Sequence, residues 1–221
     1  MIKKKMRIIS TLFLAGSLLL AACSQLDVIG KDSVTTFDKL LAATTLYLSE
    51  DASTGEWAIN APDGDARFVW GGESGAFLEF NARPFYVAGL DPEKLPETFQ
   101  ESAGKLKTGT RIGAQTTRGQ GTATALSSFE QLVSVSRERF SYHAELDHYG
   151  IDLGNGNMFE WAKDLSTNDK DIVFVLNPQP FLDAGVDPDS VEGWVFAKVK
   201  IMDAQGKTIE VDKFLKPFDL E

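Results

Sequence analysis

The sequence predicts an α+β protein built as two tandem, pseudo-symmetric copies of one module, each a helix followed by antiparallel strands. Three observations carry that expectation: blocks of sequence recur in the same order, each set opens with a helical apolar pattern, and the links between strand-like runs are too short for parallel crossovers. Thr35-Thr36-Phe37-Asp38-Lys39-Leu40-Leu41 returns as Ser127-Ser128-Phe129-Glu130-Gln131-Leu132-Val133. Trp57-Ala58-Ile59-Asn60 returns as Tyr149-Gly150-Ile151-Asp152, and Phe68-Val69-Trp70 as Phe159-Glu160-Trp161. A third block, from Phe80 to Pro92, returns between Leu176 and Pro188 with Pro-Phe-x-x-Ala-Gly-x-Asp-Pro at its heart. The chain divides accordingly into a leader at 1–22, an anchor segment at 23–32, copy one at 33–122 and copy two at 127–221.

Each copy reads in the same way from its N-terminal end. Val34, Phe37, Leu40, Leu41 and Leu48 fall on one helical face, with Thr35 or Thr36 placed to cap the first turn. Phe129, Leu132, Val133 and Phe140 form the matching stripe, and Ser128 with Gln131 has capping-box spacing. Strand patterns follow at 57–61 and 66–70 around Pro62-Asp63-Gly64, matched by 149–153 and 158–161 around Gly154-Asn155-Gly156. Asn-Gly supplies the positive φ that a tight hairpin demands. Third strands are expected at 76–81 and 172–177, the second apolar throughout residues 172–176 and therefore central. In the proline-bracketed block, proline opens a helical turn, Gly89 or Gly185 ends it, and Asp91 or Asp187 caps a second turn begun by Pro92 or Pro188. Copy two closes with a hairpin over 194–202 and 208–214, whereas 101–122 in copy one reads as partly a flexible connection. The copies form either two lobes or one continuous sheet; two lobes with a substantial interface are the favoured expectation, because no Pro/Ser-rich linker separates them.

The first residues give an address. Lys3, Lys4, Lys5 and Arg7 precede an apolar run at 8–20, shorter than the roughly 20 residues of a spanning helix, and it ends in Leu20-Ala21-Ala22-Cys23. This segment resembles the signal peptide and lipobox of bacterial lipoproteins. The resemblance implies that the leader is removed, that Cys23 is lipidated and becomes the new N-terminus, and that the protein is extracytoplasmic. Ser24, in place of an inner-membrane retention Asp, implies the outer membrane in a two-membrane cell and the outer face of the plasma membrane otherwise. Each acyl CH₂ buried in a bilayer contributes about 0.8 kcal/mol, so two chains suffice for stable attachment.

The remaining chemistry is sparse. With 22 Lys and Arg against 32 Asp and Glu, the net charge is −10, and loss of the four leader cations takes it to −14. So acidic a chain repels phosphate, which argues against a nucleic-acid partner; Lys105, Lys107, Arg111 and Arg118 form a local basic exception, read first as a solvated loop, with contact to anionic lipid near the anchor as the alternative. A single cysteine excludes an internal disulfide, and two histidines leave few residues for metal or nucleophilic chemistry. His143 to His148 is the one His/carboxylate cluster, but neither helix nor strand spacing brings both imidazoles together. Asp63-Gly64-Asp65 and Asp152 to Asn157 suggest calcium loops only loosely and read better as turns. Trp57, Trp70, Trp161 and Trp194 offer stacking surfaces for sugars, against the alternative that matched aromatics in a duplicated module form its core. No P-loop, nucleophile elbow or His-Glu-x-x-His occurs, so no catalytic, cofactor or metal residue is assigned.

The expected function is a non-enzymatic envelope lipoprotein, held at Cys23, that binds an envelope protein, glycan or small solute, with the groove between the copies as the expected place. The alternative is an envelope hydrolase acting on glycans through paired carboxylates.

Overall fold

The computed structural model describes residues 12–72, 75–109, 123–165, 170–202 and 207–220, with side chains described from residue 27 onward apart from 202. A 32-residue helix, α1 (Leu12–Ala43), comes first, although among the described residues no helix is long and apolar enough to cross a membrane. β1 (Leu48–Asp51), β2 (Glu56–Asn60), β3 (Ala66–Gly71) and β4 (Gly75–Asn81) lead through the short helix α2 (Arg83–Val87) to β5 (Phe99–Ser102) and β6 (Lys105–Thr108). A second helix-led series repeats the order: α3 (Ala125–Val135), β7 (Phe140–His143), β8 (His148–Gly154), β9 (Asn157–Ala162), β10 (Ile172–Leu176), α4 (Gln179–Asp183), β11 (Val195–Met202) and β12 (Thr208–Phe218). The strand orders are β1-β2-β3-β4-β6-β5 and β7-β8-β9-β10-β12-β11, and all the described pairings are antiparallel. The protein is thus a mixed α+β fold with two similar β modules.

Local chemistry explains most of the elements. In the β8–β9 turn Asn155 and Gly156 take φ of 55° and 79°, the left-handed pair a two-residue hairpin needs. Asp91 and Asp187 accept from the amides of Glu93 and Asp189 at 3.2 and 3.3 Å, capping the turns that follow Gly89 and Gly185. β10 lies between β9 and β12, which accounts for its apolar run.

Several expectations are corrected. Thr35 and Thr36 do not cap a helix start, because α1 is already under way; their hydroxyls donate back to the carbonyls of Lys31 and Ser33 at 3.0 and 3.1 Å. α3 is capped by Thr124 with Ser127, whose side chains exchange bonds with each other's amides at 3.1 and 2.9 Å, so the Ser128–Gln131 box is displaced. Leu48 and Phe140 belong to β1 and β7, not to helices. The connection expected at 101–122 contains the hairpin of β5 and β6, while 110–122 lie outside the described residues.

The helices also change partners. α1 packs against β7 and β9, strands of the second sheet, and α3 packs against β3 of the first. Trp161 Nε1 on β9 donates to Thr36 Oγ1 on α1 at 2.9 Å, and Trp70 Nε1 on β3 reaches the Ala125 carbonyl at the start of α3 at 3.4 Å. Each sheet is therefore covered by the helix that precedes the other sheet.

One main core, to which both series contribute, results in place of two lobes, with a small separate cluster of Ala58, Val69 and Phe77. Residues meet their own sequence counterparts along the main core: Phe37 stacks on Phe129 with centroids 3.5 Å apart, Phe68 on Phe159 at 4.1 Å, and Phe85 lies 4.6 Å from Phe181. Past these rings the Asp91 amide donates to the Ala184 carbonyl at 2.9 Å, and the Asp187 amide to that of Ala88 at 2.8 Å. Self-pairing of equivalents is what a two-fold relation produces. Each fully buried phenyl contributes about 1.5–3 kcal/mol, so the seam between the halves is where the packing energy concentrates.

Candidate functional site

Because the inward faces are committed to this joint core, the polar clusters that distinguish the two halves lie on the outward faces of the sheets, around buried centres such as Ala58, Val69 and Phe77. There the counterparts diverge: Glu56, Arg67, Val69 and Glu79 in the first series stand where the second has His148, Met158, Glu160 and Val175. Two polar sites result.

The first is on the second sheet. Ser141, Gly150 and Glu160 lie in register across β7, β8 and β9, and His143 pairs with His148 across β7 and β8. Gly150 makes the convergence possible. A Cβ there would stand 3.1 Å from Met158 Cε, 3.4 Å from Glu160 Cγ and 3.6 Å from His143 Cε1, so its absence lets Glu160 reach over β8 toward β7. Glu160 Oε1 lies 3.2 Å from His143 Nδ1, and Oε2 lies 3.8 Å from His148 Nδ1, beyond hydrogen-bond length. His148 is 4% exposed, and among the described residues neither of its ring nitrogens has a hydrogen-bond partner. Burial opposes the charge on Glu160, but the hydrogen bond from His143 with the His148 ring behind it prevails, holding the carboxyl down at about 2. That same bond raises the His143 imidazole above its ordinary value, against the effect of burial. Lys213 on β12 and Asp152 are further charges whose fields bear on this face; burial lowers the Lys213 ammonium, which donates to the Gly156 carbonyl at 2.7 Å.

The sequence expectation that the two histidines do not come together is thus corrected: a four-residue turn folds β7 onto β8 and places them side by side. Glu160 was missed. Its signal was the mismatch inside a repeated block, Phe-Glu-Trp against Phe-Val-Trp, where a carboxylate replaces an aliphatic residue in a buried strand. Ser141 Oγ stands 3.2 Å from His143 Nε2, which gives carboxylate, imidazole and hydroxyl in the order of a proton relay. The relay is not built into the depression on the other sheet, and the cluster reads chemically as a partly buried charge pair of Glu160 and His143 with the His148 imidazole beside it.

Replacing Glu160 with Gln tests that electrostatic role. The His143 contribution is complete below the ordinary imidazole value of 6.5 and is lost as pH rises through the raised value. The Glu160 contribution is complete above the ordinary 4.5 and is lost as pH falls through about 2. The wild-type stability lead over Glu160→Gln is expected to peak between these two ordinary values, at about 1.5–3 kcal/mol. Urea unfolding across pH is the measurement, and a lead that widened steadily into the alkaline range would contradict the pairing.

The second site is on the first sheet. Glu79 Oε1 accepts from Arg67 Nε at 2.8 Å and from Lys105 Nζ at 3.0 Å, beside a depression of about 230 Å³ also lined by Asp65 and Asn81. Burial opposes the Glu79 charge, yet the bonds from Arg67 and Lys105 hold its carboxyl below the ordinary range.

Other predicted residues are accounted for elsewhere. Trp70, Trp161 and Trp194 are buried and Trp57 is half-buried, so three of the four supposed sugar platforms are core. Lys107 lies over the Phe77 ring at 3.4 Å and Lys105 serves Glu79, while Arg111 and Arg118 fall outside the described residues; the basic patch is not assembled among the described side chains. Asp152 accepts from the Gly154 amide at 2.7 Å, and Asp63 from the Asp65 amide at 3.0 Å and from Lys216, so both are occupied by turn and cross-module bonds. Among the described residues no three His, Cys, Asp or Glu side chains are grouped so as to hold a metal ion. The backbone of Cys23 lies in α1, its side chain outside the described residues, as is the leader at 1–11. No family model matches the chain, and neither does any curated protein or solved structure.

Proposed function

We propose that the protein is a cell-envelope lipoprotein, attached through Cys23, that binds a partner or solute with the outward faces of its two sheets. The observation that carries the anchor is the order of basic head, short apolar run and Leu20-Ala21-Ala22-Cys23. Binding by the outward faces is supported by the contrast between matched aromatics inside and divergent polar clusters outside. On this reading the halves are tandem, pseudo-symmetric copies of one helix-plus-antiparallel-strand unit whose helices have been exchanged. The membrane is the outer one in a two-membrane cell and the plasma membrane otherwise.

Glycan hydrolysis through paired carboxylates is less well supported. Asp65 and Glu79 share the depression on the first sheet, but that mechanism needs one carboxyl held protonated near neutrality, and Glu79 is pulled the opposite way by two cations.

Cys23→Ala is expected to move the protein from the membrane to the soluble fraction on detergent phase partition, with its unfolding midpoint unchanged. Undiminished membrane association would refute the anchor. Thermal shifts with peptidoglycan fragments, glycans and envelope extracts test binding, and Arg67→Ala or Glu160→Gln should reduce any shift if the outward faces are responsible.

A further inference from the structure

We propose that α1 is a rigid post that sets the anchored end of the molecule directly on the bilayer, with Val28 and Val135 against the headgroup region of the leaflet that receives the Cys23 acyl chains. The inference rests on the lipid anchor proposed above and adds the orientation of the body. The backbone of α1 runs unbroken from Leu12 through Cys23 to Ala43, so a helix, not a flexible linker, joins the anchor to the core. Cys23 precedes Asp27 by one turn, about 6 Å.

The post is gripped almost at once. Asp27 is ion-paired with Arg137, just past the end of α3, and a Cβ on Gly30 would meet Val133 Cγ1 at 3.4 Å. A short helical segment held by tertiary contacts on its second turn does not need intrinsic propensity to stay formed.

Exposed side chains say which part of the post meets lipid. Val28 and Val135 are 56% and 41% exposed, and both belong to the contact region at the Cys23 end. Beyond it the exposed face of α1 is Lys31, Asp32, Thr35, Asp38 and Lys39, ending in the small Ala42 and Ala43. A face of that composition has no apolar stripe to lay into a bilayer, so α1 meets the membrane end-on, not lengthwise. From Cys23 to Ala43 the helix rises about 30 Å, which holds Leu46, 93% exposed past its far end, well clear of the surface. Both sheets then stand beside the post.

The lone cysteine makes the test direct. Once Cys23 is acylated, an introduced cysteine is the only free thiol, and a nitroxide can be attached at Val135→Cys, Val28→Cys or Leu46→Cys in the full lipidated protein. Vesicles of phosphatidylethanolamine and phosphatidylglycerol carrying a nickel-chelating lipid should relax the label at 135 and 28 severalfold more than at 46. Equal relaxation at all three positions would mean a flat or freely tumbling body and would overturn the post while leaving the anchor intact. Absence of acyl chains on Cys23 by mass spectrometry would overturn the anchor and the post together.

Discussion

Phe37→Ala is expected to lower the unfolding free energy by about 3–5 kcal/mol, the range for deleting a fully buried phenyl that cannot be replaced by collapse of its surroundings. Phe37 has no exposed surface. Its ring stacks on Phe129 at 3.5 Å and makes T-shaped pairs with Trp70 and Trp161 at 5.4 and 5.5 Å, so from α1 it touches α3 and both β modules. Collapse is resisted because those neighbours are fixed in turn: Trp161 by its bond to Thr36, Trp70 by its bond to the Ala125 carbonyl. The same geometry predicts one cooperative transition. With each helix covering the other module's sheet, neither half retains a closed core when the other opens. Urea unfolding followed by tryptophan fluorescence and by far-UV circular dichroism should give coincident curves, displaced together by Phe37→Ala. Pairing it with Phe129→Ala in a double-mutant cycle should reveal about 0.5–1.5 kcal/mol of coupling. A loss below about 1 kcal/mol, or two separated transitions, would show that the halves are energetically independent.

The parts of this fold that were legible in the sequence are those written by local rules. β2, β3, β8 and β9 announce themselves by alternation around turn residues, and the duplicated proline–glycine–aspartate block by its caps. β1 and β5 did not, because short edge strands such as Leu-Ser-Glu-Asp and Phe-Gln-Glu-Ser carry charges on their open side and show no apolar alternation. The exchange of helices was invisible for a different reason. A helical stripe such as Phe37, Leu40 and Leu41 says that a face is buried, but nothing in its period says against which sheet. The Glu160 cluster was hidden because it depends on a gap: only when β8 lies between β7 and β9 does the missing side chain of Gly150 become a passage from Glu160 to His143. The matched tryptophans, by contrast, show that repetition of an aromatic within a duplicated module is evidence of packing before it is evidence of a ligand.

The glycines of the repeated block carry the second large effect, and they separate two causes that the sequence merges. Gly89 and Gly185 hold φ of 102° and 92°, so alanine at either position incurs backbone strain of about 1–3 kcal/mol. Strain alone would make the two substitutions equal. They are not equal in space: a Cβ on Gly89 would stand 2.9 Å from the Gly185 carbonyl oxygen, whereas one on Gly185 would stand 3.4 Å from the Gly89 oxygen. The obstacle is backbone, and it cannot retreat without breaking the reciprocal bonds from Asp91 to Ala184 and from Asp187 to Ala88. Overpacking of that kind adds about 1–3 kcal/mol. Gly89→Ala should therefore destabilise clearly more than Gly185→Ala, with midpoints from thermal or urea unfolding as the measure. Equal losses would mean that the glycines serve only to end their own helical turns; a larger loss at Gly89 shows that the block is also the point where the two modules touch backbone to backbone, with no side chain between them.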